Sequence, residues 1–109
     1  RILADVPCSA SGIVRRHVDI KWLRREADLR NFTRQQAAIL RGLWPTLAKG
    51  GKLLYATCSV FLEENQCQID EFLREQANAR QLPLPGLDSG QLLPCDEHDG
   101  FFYALLEKI

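Results

Sequence analysis

At 109 residues, 46% of them hydrophobic, the chain has enough apolar material for one globular core and too little length for several domains. No stretch approaches the roughly eighteen consecutive apolar residues of a membrane span, and Arg1-Ile2-Leu3-Ala4-Asp5 lacks the layout of a secretory signal. Fourteen basic side chains balance fourteen acidic ones, but residues 1–52 carry a net +7 and residues 53–109 a net −7. The split suggests an anionic partner for the first half, set against the plainer reading of two solvated faces. Cys8, Cys58, Cys67 and Cys95 lack the spacing of a disulfide framework, so reduced thiols in a cytoplasmic protein are expected. With no Cys-x-x-Cys and no paired histidines, no metal is expected.

Ile2-Leu3-Ala4-Asp5-Val6, ended by Pro7, predicts a buried parallel strand whose carboxyl end meets a loop. Residues 9–30 mix small side chains with Arg15, Arg16, His17, Lys21, Arg24, Arg25 and the single large aromatic Trp22, and read as a basic surface loop with a short helical turn. Thr33 and Gln36 form a capping-box pattern. Ala37, Leu40, Leu43, Trp44 and Leu47 then recur at helical spacing, predicting a helix over 34–48, bent at Pro45 and stopped by Gly50-Gly51. Lys52 to Thr57 is a second buried strand, parallel to the first because a helix separates them.

Ile69, Phe72, Leu73 and Gln76 mark one face of a helix over 62–78, with Glu63 and Glu64 at its N-terminus and Cys67 opposite the stripe. The prolines and glycines of 79–98 predict irregular chain with at most short strands. Phe101 to Ile109, after the turn signal Asp99-Gly100, predicts a final strand apolar enough for a sheet covered on both faces.

The informative pattern is a pair: Asp5-Val6-Pro7-Cys8-Ser9 after the first strand and Thr57-Cys58-Ser59 after the second. Neighbouring strands lie about 5 Å apart and ligands gather beyond their carboxyl ends, so both thiols are expected to face one crevice. This pair, with Gly12, Arg15-Arg16-His17, Asp19-Ile20-Lys21-Trp22, Lys49-Gly50-Gly51-Lys52-Leu53, Glu63-Glu64-Asn65 and Asp99-Gly100-Phe101-Phe102-Tyr103-Ala104, resembles the NOL1/NOP2/Sun family of RNA cytosine-C5 methyltransferases. The likeness covers nearly the whole chain and is nearest to the bacterial Sun/Fmu branch, which methylates small-subunit ribosomal RNA. Val18, where the family usually has proline, and Phe61-Leu62, in place of a commoner Asn-Pro or Leu-Pro, depart from the pattern without touching the chemistry.

The resemblance implies an α/β fold: the C-terminal half of a Rossmann-like methyltransferase sheet, parallel strands plus a terminal antiparallel strand beside the second. It implies S-adenosyl-L-methionine as cofactor, Cys58 as nucleophile, Cys8 as the cysteine of product release, and Asp5 and Pro7 as contacts to the target base. A thiolate suits the task, because carbon 5 of cytosine becomes nucleophilic only after a covalent addition at carbon 6. The positive end of the following helix is expected to lower the Cys58 pKa. Arg15, Arg16 and Lys21 are candidate phosphate contacts on ribosomal RNA, with Trp22 as a stacking platform; the same residues also read as an ordinary solvated face.

No glycine-rich strand-to-helix turn precedes Asp5, so residues 1–109 are expected to be one portion of a catalytic domain whose main cofactor motifs lie outside the chain, inactive in isolation. The competing reading is a non-catalytic RNA-binding or structural fragment. A cysteine-phosphatase loop fits poorly, because Arg15 stands seven positions after Cys8 where that loop needs its arginine at the sixth.

Overall fold

The computed structural model describes residues 1–9, 11–13, 26–85, 90–95 and 98–109. Strand β1 (Ile2–Asp5) runs parallel to β2 (Lys52–Thr57), Ile2 opposite Leu53 through Asp5 opposite Ala56. Beyond the last pair the Val6 N–H still donates to the Ala56 carbonyl at 3.1 Å, and Pro7, which has no N–H, ends the ladder. Strand β5 (Phe101–Lys108) lies antiparallel on the other side of β2, as expected, and also receives the short strands β3 (Ala79–Leu82) and β4 (Gln91–Leu92). The sheet order is β1-β2-β5-β3.

Helix α1 spans Glu26–Leu43 and so starts well before the predicted residue 34. The Thr33 and Gln36 pattern is consumed inside the helix. The Thr33 hydroxyl donates back to the Arg30 carbonyl at 2.8 Å, and Gln36 is fully buried with its amide turned toward the sheet. Pro45 acts as expected, converting the end of the helix into a tighter turn over Trp44–Thr46. Lys108 donates from Nζ to the carbonyls of Trp44 (3.0 Å), which also accepts the Leu47 N–H, and of Leu47 (2.9 Å), and Gly50 adopts the left-handed φ of 82° that turns the chain into β2.

Helix α2 spans Gln66–Glu75, shorter than the predicted 62–78. Leu62–Glu64 form a separate tight turn, and Asn65, at φ −114° and ψ −110°, breaks the helical path between them.

Alternation sorts the strands into two faces. Ala4, Leu53, Tyr55, Phe102, Ala104 and Leu106 point to the side carrying both helices and join Leu40, Trp44, Leu47, Ile69 and Phe72 in one buried cluster. Trp44 meets Phe72 edge-on at 5.2 Å, and its indole N–H donates to Asn78 at 3.0 Å. Leu3 (68% exposed), Phe101, Tyr103 and Leu105 point the other way. Where the sequence predicts a sheet covered on both faces, the described residues place α1 and α2 on one side and leave the outer residues of β5 half-buried. Among the described residues, β1 pairs only with β2, and no helix is long and apolar enough to cross a membrane.

Truncating Phe72 to alanine in the intact protein carrying this chain removes a buried ring from the seam between both helices and the sheet. A loss of about 3–5 kcal/mol is expected from equilibrium denaturation. A Trp44/Phe72 double-mutant cycle should return a coupling of about 0.5–1.5 kcal/mol for the edge-on pair.

Candidate active site

The register of β1 and β2 brings the segments that follow each strand to the same level, and the two predicted thiols meet there. Cys8 Sγ lies 3.3 Å from Cys58 Sγ, within reach of a thiol hydrogen bond, and neither cysteine is in a disulfide. Cys8 is buried, whereas Cys58 is half-buried and opens on a cleft of about 440 Å³ on the side of the sheet opposite α1 and α2. Asp5, Ala56, Asp99, Phe101 and Tyr103 line the same cleft, and Phe101 stacks on Tyr103 at 6.3 Å. Asp5 thus stands beside Cys58 as expected. Pro7 is exposed, its carbonyl accepting from Gln36 Nε2 at 2.9 Å. Arg15, Arg16 and Lys21, with His17 and Trp22, lie outside the described residues.

The loops are fixed by polar groups to which sequence reasoning assigned no role at the site. Glu64, fully buried, accepts from the Ser9 N–H (2.7 Å), the Ser9 hydroxyl (2.7 Å), the Ser59 hydroxyl and Gln36 Nε2 (3.4 Å). Asn65, also fully buried, accepts from Thr57 Oγ1 at 2.6 Å and donates to the Ser59 carbonyl at 2.9 Å. Tyr55 anchors the same turn from inside the core, its hydroxyl donating to the Glu64 carbonyl at 2.6 Å. The repeated Cys-Ser pair was the available signal, since a serine after each cysteine gives each loop a hydroxyl that one acceptor can collect.

Two glycines complete the lacing. The Gly12 N–H donates to the Cys58 carbonyl, and the Gly100 N–H donates to the Gly12 carbonyl, both at 2.8 Å. A Cβ at Gly12 would stand 2.1 Å from the Gly100 oxygen and 2.8 Å from the Cys58 oxygen, so only glycine lets the three segments approach this closely.

The Cys58 thiol is pushed well above its ordinary range, first by the hydrogen bond shared with Cys8, then by burial, with the charges of Cys8 and Asp5 adding to both. This reverses the expected lowering. Two sulfurs in contact cannot both carry charge cheaply, and the chain between Cys58 and α2 is a tight turn rather than a helix aimed at the sulfur.

Comparison with known proteins bears directly on this arrangement. The profile of the 16S rRNA methyltransferase RsmB/F family matches residues 1–107. The chain belongs to the RsmB/F family. It is 51% identical, over 99% of its length, to ribosomal RNA small subunit methyltransferase B from Escherichia coli O17:K52:H18 and to the protein of the same name from Enterobacter sp. strain 638. It spans 26% of each of these relatives, about a quarter of their length. Among solved structures it superimposes on PH0851 (TM-score 0.91, 35% identity, 97% of this chain and 26% of that one). It also superimposes on NSun6 from Pyrococcus horikoshii with SFG, an S-adenosylmethionine analogue (TM-score 0.81, 25% identity, 98% of this chain and 29% of that one). The fold of this RsmB/F chain is accordingly that of the Rossmann-like Sun-family methyltransferases, with parallel and antiparallel strands in one sheet.

Gly12→Ala should force the loops apart, with a destabilisation of about 1–3 kcal/mol and faster alkylation of Cys58 by iodoacetamide in the intact protein. The raised Cys58 pKa carries a pH signature. Well below pH 9.0, the ordinary value, the thiol is protonated whether folded or unfolded; as pH rises through it the unfolded chain releases a proton that the folded protein retains. Stability should therefore fall as pH rises past that value. Melting temperatures measured from neutral to alkaline pH should fall less steeply in Cys58→Ala than in the parent.

Proposed function

We propose that the intact protein carrying this chain methylates carbon 5 of a cytosine in small-subunit ribosomal RNA, in the cytoplasm, through a covalent adduct on Cys58. The observation that carries this reading is the contact of two reduced thiols at the carboxyl ends of adjacent parallel strands, one of them opening on a cleft beside a carboxylate. Family membership and the named activity of the RsmB/F relatives support it. Residues 1–109 are read as part of the catalytic domain. Their cleft offers one wall with carboxylate and aromatic side chains, which suits a base. The described residues include no glycine-rich phosphate-type loop, so we assign the holding of S-adenosylmethionine chiefly to other parts of the longer protein. When bound, that cofactor supplies an electrophilic methyl group.

The residues of this chain then divide the work. Cys58 gives up its thiol proton to solvent in the cleft, adds its sulfur to carbon 6 and so makes carbon 5 electron-rich. Asp5 hydrogen-bonds the exocyclic amine or the protonated ring nitrogen, stabilising the charge that develops on the ring. The same contact offsets the Asp5 charge that opposes a Cys58 thiolate, so base binding favours the reactive form. After carbon 5 is methylated its proton leaves to a base, the electron pair restores the ring, and the sulfur–carbon 6 bond breaks to return the thiolate. Cys8, in contact with the departing sulfur, assists this release. Arg15, Arg16 and Lys21 are assigned to the RNA backbone.

The two thiols should separate in a gel. With substrate RNA and S-adenosylmethionine, Cys58→Ala should give neither methylated RNA nor a denaturant-stable protein–RNA band. Cys8→Ala should accumulate an RNase-sensitive band. A band from Cys58→Ala alone would mean reversed roles, and methylation undiminished in both variants would remove cysteine catalysis.

A further inference from the structure

The chemistry proposed above leaves a buried acidic side chain unused. Glu64 is fully buried, and among the described residues no cation pairs with it. A carboxylate in that setting persists only if donors satisfy it, and its donors come from three distant parts of the chain. Ser9 brings its N–H and its hydroxyl, Ser59 its hydroxyl, and Gln36 of α1 its amide. Ser9 directly follows Cys8 and Ser59 directly follows Cys58. The Gln36 amide also donates to the Pro7 carbonyl at 2.9 Å, on the residue before Cys8.

We propose that Glu64 is the positioning residue of this site, one carboxylate that holds both Cys-Ser loops and thereby sets the distance between the Cys8 and Cys58 sulfurs. A carboxylate suits the place because both of its oxygens only accept, and every neighbour here donates. An amide keeps one accepting oxygen for the Ser9 N–H and Gln36, and the two hydroxyls can rotate to receive its N–H groups. Glutamine is therefore a partial substitute and alanine none. The consequence for methyl transfer rests on the function proposed above; the sulfur spacing does not.

The test uses the intact protein with Cys67 and Cys95, both exposed and outside the site, replaced by serine. Dibromobimane, whose two arms each exchange a bromide for a thiol sulfur with the proton passing to buffer, bridges only closely spaced thiols. Peptide mapping identifies the Cys8–Cys58 bridge, and monobromobimane reports the reactivity of Cys58 alone. Bridging should slow about tenfold in Glu64→Ala, the scale of one lost charge-assisted hydrogen bond, and by an intermediate factor in Glu64→Gln, while single-arm labelling holds. Near-UV circular dichroism checks that each variant is folded; general loosening would instead accelerate labelling by both reagents. Parent-like bridging in folded Glu64→Ala overturns the proposal. If that variant does not fold, the Ser9→Ala, Ser59→Ala double variant removes both hydroxyl donors from the other side, and parent-like bridging there overturns it equally. In the methylation assay the Glu64 variants should lose kcat with little change in KM for RNA. Slowed bridging in a protein whose parent does not methylate RNA would sink the functional reading and support the positioning role.

Discussion

The parallel pairing of β1 with β2 is the constraint on which the rest of the site depends. Backbone register is discrete, so once Asp5 stands opposite Ala56 the chain just past each strand arrives at one level. Two thiols fifty residues apart in sequence then meet at 3.3 Å without either loop having to reach. A shift of one residue would turn Asp5 from the cleft to the helix side and carry Cys58 away from Cys8. The core enforces the register, because Ala4, Leu53, Tyr55 and Phe102 all fall on the face covered by α1 and α2.

What strand pairing brings together, buried polar groups then fix. Backbone groups in loops lack the neighbours that a sheet provides and must find side-chain partners or water. Here Glu64, Asn65 and Gln36 serve that need, packed between the loops and the helices. The site thus has a polar network of Glu64, Asn65 and Gln36 beneath it and the cleft beside Asp5 and Phe101 above.

Strands β1, β2 and β5, the parallel sense of the first two and the meeting of Cys8 with Cys58 were legible in the sequence, because apolar runs and strand-end positions are local signals that topology combines by simple rules; the antiparallel sense of β5 came from the family resemblance, and β3 and β4 lie in a stretch that reads as irregular chain with at most short strands. The boundaries of α1 and α2 were less so. Thr33 and Gln36 carry the letters of a cap, but Gln36 is recruited by Pro7 and Glu64, residues distant in sequence. Glu64 reads as an ordinary acidic residue near a helix start, and only the fold reveals that two serines converge on it. The direction of the Cys58 pKa shift was misread for the same reason, since a nearby helix is visible in sequence and a contacting second thiol is visible only in three dimensions.

The central place of β5 has a consequence for the order in which the molecule can be assembled. Phe101–Lys108 pairs with β2, β3 and β4, yet it is made after all of them. As the chain emerges from a ribosome, β1, β2 and both helices are present before the strand that completes their sheet. Contacts of such large sequence separation close slowly, so Cys58 passes through a period in which Phe101 does not yet line its cleft. Over that interval the oxidation of the Cys58 thiol depends on the reducing capacity around the nascent chain and not on the walls of its cleft.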